Sequence, residues 1–187
     1  EYKQWLPLAE RFRRVKPDAV LTDTNGFAWA LLLNGSYAEA EALLRRHLPD
    51  CRTALGEDHP QTVPAAKYLA WAVKDQGRPG EAEILLRATL SGVDAKAHPV
   101  LAASVETMLA QCLTSLGQYD EAEALLTTVW DDLTRLRLTG LGSYARAVKA
   151  LIEAHRGNEA GLAAALAEFD AWRGERDDEV PLAHVLA

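Results

Sequence analysis

A ten-residue segment recurs at nearly constant spacing, and this recurrence restricts the folds open to the chain more than any other feature. Gly35-Ser-Tyr-Ala-Glu39-Ala40-Glu41-Ala-Leu43-Leu44 returns as Gly77-Arg-Pro-Gly-Glu81-Ala82-Glu83-Ile-Leu85-Leu86, and again as Gly117-Gln-Tyr-Asp-Glu121-Ala122-Glu123-Ala-Leu125-Leu126. The glycines lie 42 and then 40 residues apart, and a degraded fourth copy begins 40 residues later at Gly157, keeping Leu162 and Leu166. A unit repeated at this period buries its apolar face only by stacking on its neighbours.

Each unit has the pattern of a helical hairpin. Upstream of each full glycine stands a large apolar residue followed by a small one: Phe27-Ala28, Leu69-Ala70 and Leu109-Ala110. Three residues beyond each alanine comes Leu31, Val73 or Leu113, so spacings of three and four gather these side chains on one helical face. Alanine there allows a second helix to approach closely. The glycine then ends the first helix, because it enters the left-handed backbone region without the cost a side chain brings. Acidic residues open the second helix, where they favour the helix dipole, and Ala40, Leu43, Leu44 and their equivalents form its buried face.

Gly56-Glu-Asp-His59-Pro60 and Ala97-His98-Pro99 mark restarts between hairpins. Proline suits a first helical turn, where its missing amide hydrogen costs nothing, and Pro64 is early enough to be tolerated. First helices are therefore expected over 22–34, 60–76, 99–116 and 142–156, and second helices over 37–54, 79–91, 119–136 and 158–172. Trp5, Leu8, Ala9 and Phe12, at helical spacing, predict one more helix before the first pair, a position that fits the second half of a truncated repeat.

The glycine-tyrosine-glutamate-alanine pattern, the paired small residues and the period near 40 resemble tetratricopeptide repeats. The longer period and Leu55-Gly56-Glu57-Asp58-His59-Pro60 are similar to the kinesin light chain type, abundant in bacterial signalling proteins. The resemblance covers 22 to about 172 and is specific in three copies. It implies an all-α, right-handed superhelix of antiparallel helix pairs, with about three and a half to four repeats. The expected divisions are an N-terminal helix over 1–21, a repeat domain over 22–174 (repeats 22–59, 60–98, 99–141 and 142–174) and a C-terminal tail over 175–187. The fourth copy departs from the pattern: Lys149, Glu153 and Arg156 stand where the others are apolar or neutral. That fits a polar capping unit, or a slipped register.

Charge narrows the partners. A net charge of -7 argues against nucleic acid, which needs a positive surface, and against an anionic membrane face. Arg11, Arg13, Arg14 and Lys16 form one local basic cluster, whose plainer reading is a solvated helix face. Two cysteines, Cys51 and Cys112, cannot build a disulfide framework, so a reducing, cytoplasmic compartment is expected. No signal peptide and no membrane-length apolar run is present. Many arginines, alanines and leucines fit a GC-rich bacterial source, and the absence of an initial methionine fits a fragment or processed chain.

No residue set in the sequence has the pattern of an active site, and neither enzymatic activity nor a cofactor is expected. Glu39, Glu41 and their copies could be paired acids, but recurrence in every good repeat favours a solvent-facing helix-start role. His47 and Cys51, four residues apart, have metal-ligand spacing without visible partners. His59 and His98 precede prolines and read as loop and cap residues. Gly140-Leu-Gly142-Ser143 before a helix is at most a fragment of a phosphate loop, lacking its lysine and preceding strand.

A stripe on the first helices, offset from the core face, is the better functional signal. It reads Asn25, Trp29 and Leu32, then Lys67, Trp71 and Lys74, then Thr107, Gln111 and Thr114, and ends on Ala147 and Leu151. The resemblance implies that first helices line a concave, ligand-bearing surface. Trp29 and Trp71 hold equivalent positions and are expected to stack along it, as binding residues or as filling for the inside of a tight curve. The lysines suggest an acidic or C-terminal group docking beside aromatic contacts. The two-carboxylate clamp of chaperone-binding relatives needs asparagine where this chain has Trp29 and Trp71, which disfavours a chaperone-tail ligand. Trp130 and Phe169 are expected in the core. The resulting expectation is a module that binds a peptide or partner segment in its concave groove. The alternative is a regulatory or sensor domain of a larger bacterial signalling enzyme or transcription regulator.

Overall fold

A computed structural model describes residues 17–135 and 139–174. Within them run eight helices: α1 (Pro17–Leu33), α2 (Tyr37–Leu55), α3 (Thr62–Asp75), α4 (Pro79–Gly92), α5 (Pro99–Ser115), α6 (Tyr119–Arg135), α7 (Thr139–His155) and α8 (Glu159–Gly174). No strand occurs among the described residues. The helix expected around Trp5 to Phe12, the basic cluster from Arg11 to Lys16 and the tail over 175–187 lie outside them.

Most helix bounds fall within two or three residues of those expected, and the differences have local causes. Helix α1 begins at Pro17 rather than 22, with proline taking its usual place in the first turn. Helix α3 begins at Thr62, two residues after Pro60, and carries Pro64 in its first turn. Helix α7 begins at Thr139. Gly140 and Gly142 thus sit inside its first turn, where the Gly142 carbonyl accepts a hydrogen bond from Arg146 at 3.2 Å, and no loop remains there to cradle a phosphate.

The turn glycines act as the sequence requires. Gly35, Gly77, Gly117 and Gly157 have φ of 74°, 81°, 76° and 67°. Each closes its first helix with the same pair of bonds: the Gly35 amide donates to the Leu32 carbonyl (3.0 Å) and Ser36 to Leu31 (2.9 Å), with equivalents at every other hairpin. This left-handed termination satisfies carbonyls the helix end would otherwise leave free, and a Cβ at that φ would be strained.

Ala28, Ala70 and Ala110 are wholly buried where the two helices of a hairpin meet, as are Ala40, Ala82 and Ala122 on the second helices. Leu32, Leu44, Val73, Leu86 and Leu113 fill the space between successive units in one continuous core. Each of the first three second helices packs both on its own first helix and on the next one, and the last packs on its own. Successive first helices also touch (α1 with α3, α3 with α5, α5 with α7), whereas successive second helices make no comparable contact among the described residues. The stack therefore curves with first helices inside and second helices outside.

The outer side carries a ladder the sequence reading undervalued. Arg45 bonds Glu41 in its own helix (2.8 Å) and also reaches Glu81 of the next unit. Arg87 joins Glu83 (2.8 Å) to Glu121 (2.6 Å) in the same way. Glu41 further accepts hydrogen bonds from Arg78 and from Gln76 (2.7 Å). Burial alone would raise the Glu41 carboxyl, but these donors outweigh it and pull it down to about 2. The repeated glutamates, Glu41 and Glu123 of the second position and Glu81 and Glu121 of the first, thus cross-link units as well as opening helices.

The fourth hairpin solves the same packing problem with different chemistry. Glu153 occupies the position of Leu31, Val73 and Leu113 and is 7% exposed. Its carboxylate accepts from Asn158 Nδ2 at 2.6 Å and from Arg156 at 3.5 Å. It fits because Gly161 stands where the other units carry Glu39, Glu81 and Glu121: a Cβ at Gly161 would come 2.8 Å from Glu153 Cδ. Arg156 also reaches back to Asp120 (2.6 Å) and Glu123 (2.8 Å), tying the last hairpin to the third. Leu166, aligned with the buried Leu44 and Leu86, is 48% exposed, since no described helix follows α8. Phe169 and Trp130 are half-buried rather than enclosed. Trp130 carries the Arg146 guanidinium over its ring at 4.4 Å.

Candidate functional site

The inner surface gathers an aromatic cluster between α1 and α3. Trp29 on α1 meets Trp71 on α3 with ring centroids 5.4 Å apart and planes at 70°, and meets Tyr68 at 5.3 Å and 45°. The two tryptophans are neighbours, as their equivalent positions predict, but edge-to-face rather than stacked, the arrangement the ring quadrupole favours. Trp29 remains 38% exposed and Trp71 half-buried. Tyr68 has no counterpart elsewhere in the repeat, where its position holds Gly26 and Met108. Only its place beside Lys67 on the same helix could have marked it.

Two lysines border this cluster with different fates. Lys67 Nζ lies 5.5 Å from the Tyr68 ring centroid, and no carboxylate among the described residues pairs with it. Burial pulls its ammonium down to about 8. Lys74 is paired with Asp75, and both side chains are largely covered. Asp75 also accepts the Trp71 indole N–H at 2.6 Å. The Tyr37 phenol is raised by burial, then by the charge of Asp75 and a hydrogen bond to it.

Five residues of the expected stripe, counting Ala147 at its end, do not face an open groove. Leu32 is 1% exposed and belongs to the core. Asn25 is buried, and its side-chain amide ties α1 to the start of α3 by donating to the Gln61 carbonyl (2.8 Å) and Oε1 (3.0 Å). Thr107 and Thr114 are buried on α5, their hydroxyls donating to the carbonyls of Ala103 (2.7 Å) and Ala110 (2.8 Å) one turn back. Tyr144 of α7 accounts for the closure here. It packs on α5 with its hydroxyl bonded to Gln111 Oε1 and 3.5 Å from Met108 Sδ. Of the end of the stripe, Ala147 is buried and Leu151 half-buried. The sequence pattern located the face; the aromatic residue bridging the third and fourth units ended it early.

The other candidate chemistries stay local. His47 Nε2 and Cys51 Sγ are 3.2 Å apart and both buried, and no group of three His, Cys, Asp or Glu is gathered among the described residues. Cys112 is buried and its thiol is pushed up to about 12, chiefly by burial. His59 Nδ1 accepts from the Gln61 amide at 3.2 Å and His98 lies 4.0 Å from Asp58, both in inter-hairpin segments. No described helix is long and apolar enough to cross a membrane.

Eight helices in four antiparallel pairs, curved with the first helices inside and an aromatic patch on that face, define an α-solenoid of helical hairpins. Residues 20–94 match the family model for the tetratricopeptide repeat. A Podosopora anserina protein assigned as a kinesin light chain, with nearly identical TPR-like repeats, shares the fold at a TM-score of 0.64 and 22% identity, over 95% of this chain and 89% of that one. A point variant of it gives 0.67 and 22%, over 94% and 88%. No curated protein matches the chain. Residues 20–94 thus carry tetratricopeptide repeats, and the stack as a whole shares the fold of those kinesin light chain repeats. Such repeats generally mediate protein–protein interaction and form non-enzymatic scaffolds.

Proposed function

We propose that the protein is a bacterial cytoplasmic interaction module that holds a partner peptide segment on its concave face, centred on Trp29, Tyr68 and Trp71. The observation that carries this reading is the aromatic cluster on the inner face beside a lysine ammonium that no described carboxylate neutralises. Aromatic side chains bring large contact area at low entropic cost, and a preformed curved surface needs little reordering on binding. A desolvated, unpaired ammonium destabilises the free protein, and a ligand carboxylate would relieve it. The ligand is therefore a segment with an apolar or aromatic side chain close to a carboxylate. The face narrows at Tyr144, so the segment lies over the first two repeats.

Selection from a random peptide display library with the whole chain as bait tests this. Enriched sequences should pair an acidic group with an apolar or aromatic residue, and binding should be lost in Trp29→Ala. Enrichment that ignores both features, or that survives Trp29→Ala unchanged, overturns the reading.

A further inference from the structure

We infer that Asp75 positions Trp71 and sets the charge of the concave site, so that the site selects ligands offering one carboxylate over polyanionic ones. The inference rests on the concave face being the binding surface. Asp75 stands two residues before Gly77, where the other units carry Leu33, Ser115 and His155, so the repeat itself does not call for a carboxylate here. Local physics opposes it as well, because an aspartate in the last turn of a helix faces the negative end of the helix dipole. A carboxylate that neither the repeat pattern nor local preference calls for points to a role at the site.

Three donors converge on that carboxylate. The Trp71 indole N–H, one turn earlier on α3, donates at 2.6 Å. The Lys74 ammonium bonds the other oxygen, and Tyr37 at the start of α2 adds a hydrogen bond. The first contact fixes the rotation of an indole whose ring packs edge-to-face with Trp29. An anchor held in place before the ligand arrives spares that ordering cost on binding. The second contact cancels a charge. Lys67 and Lys74 lie seven residues apart, two turns along one face of α3. Without Asp75 the face would present two ammonium groups and suit a polyanion; with it, one remains.

Nuclear magnetic resonance on the whole chain tests both parts. Trp71→Phe assigns the Trp71 indole N–H signal, and thermal melts check that each variant folds. In the wild type this signal should lie downfield and exchange slowly. Asp75→Asn should keep most of that effect through its amide oxygen, and Asp75→Ala should move the signal upfield and speed its exchange. N-acetyl-phenylalanine, with one carboxylate beside a ring, and citrate, with three carboxylates, serve as probes. The wild type should respond to the first more than to the second. Asp75→Asn should shift that preference toward citrate by about fivefold, the scale of one partly screened charge contact. An indole signal unmoved in Asp75→Ala overturns the positioning role, and an unchanged preference in Asp75→Asn overturns the charge role. If the indole signal behaves as described while neither probe perturbs Trp29 or Trp71, concave binding and selectivity both fail and only the hydrogen bond stands.

Discussion

Lys67→Met separates what the concave face costs from what it does. Burial lowers the Lys67 ammonium from its ordinary 10.5 to about 8. At about 1.4 kcal/mol per pKa unit, carrying the charge in that site costs at most about 3 kcal/mol. Lys67 keeps some contact with solvent, which reduces the figure to about 1–2 kcal/mol. Methionine retains much of the stem that packs beside Tyr68 and removes the charge, so the variant should be more stable by that amount at pH 7. For a domain of this size that is a rise in melting temperature of about 2–8 °C. The pH dependence provides a second reading. Below pH 8 both states are protonated and the cost is complete. Between pH 8 and 10.5 the unfolded chain binds the proton and the folded chain does not, so stability rises with pH through that window. Melts of wild type and Lys67→Met from pH 7 to 10.5 should therefore converge as pH increases. A variant that melts at or below the wild type at pH 7, with parallel pH profiles, would refute the picture of an unpaired, desolvated lysine.

Three further outcomes concern the scaffold. Ala70→Leu should overpack the wholly buried contact inside the second hairpin and cost about 1–3 kcal/mol in denaturant unfolding. The Glu41 carboxyl is held down to about 2, so its contribution is present above its ordinary 4.5 and lost as pH falls toward 2; Glu41→Gln should flatten that acid limb in melts between pH 2 and 5. Gly161→Ala should displace the buried Glu153 carboxylate and destabilise the last hairpin by about 1–2 kcal/mol despite better helix propensity. Glu153→Leu combined with Gly161→Ala should recover most of that loss, and strict additivity in the double-mutant cycle would contradict the contact.

Much of the fold was legible because the repeat states it three times. Gly35, Gly77 and Gly117 fixed the hairpin ends, and Ala28, Ala70 and Ala110 fixed the faces that meet, since a left-handed turn and a close helix approach each admit few residue types. Starts were less certain, because proline is tolerated anywhere in a first turn: Pro17 opens α1, while Pro60 precedes α3. At the site, helical spacing located the inner face and the pairing of Trp29 with Trp71. It could not tell which stripe residues reach solvent, because that depends on neighbours from other units. Asn25 turns to Gln61, and Thr107 and Thr114 satisfy their hydroxyls within α5 where Tyr144 packs on it. Tyr68 and Asp75 escaped notice for the opposite reason: neither belongs to the repeat. The exchange of Glu153 and Gly161 in the fourth unit likewise shows only when both helices are seen together.

Trp71→Ala decides whether the aromatic patch serves a ligand or the core. Trp71 follows the buried Ala70 by one residue, about 100° further round α3. The measurement is the affinity of a library-selected peptide for wild type, Trp71→Ala and Ala70→Leu, each with its melting curve. Trp71→Ala should weaken binding by about thirtyfold, the loss of roughly 2 kcal/mol expected at a hot spot, while melting at a higher temperature than Ala70→Leu. Unchanged affinity in Trp71→Ala, or a melting temperature as low as that of Ala70→Leu, would make the tryptophan pair part of the packing and not a binding surface.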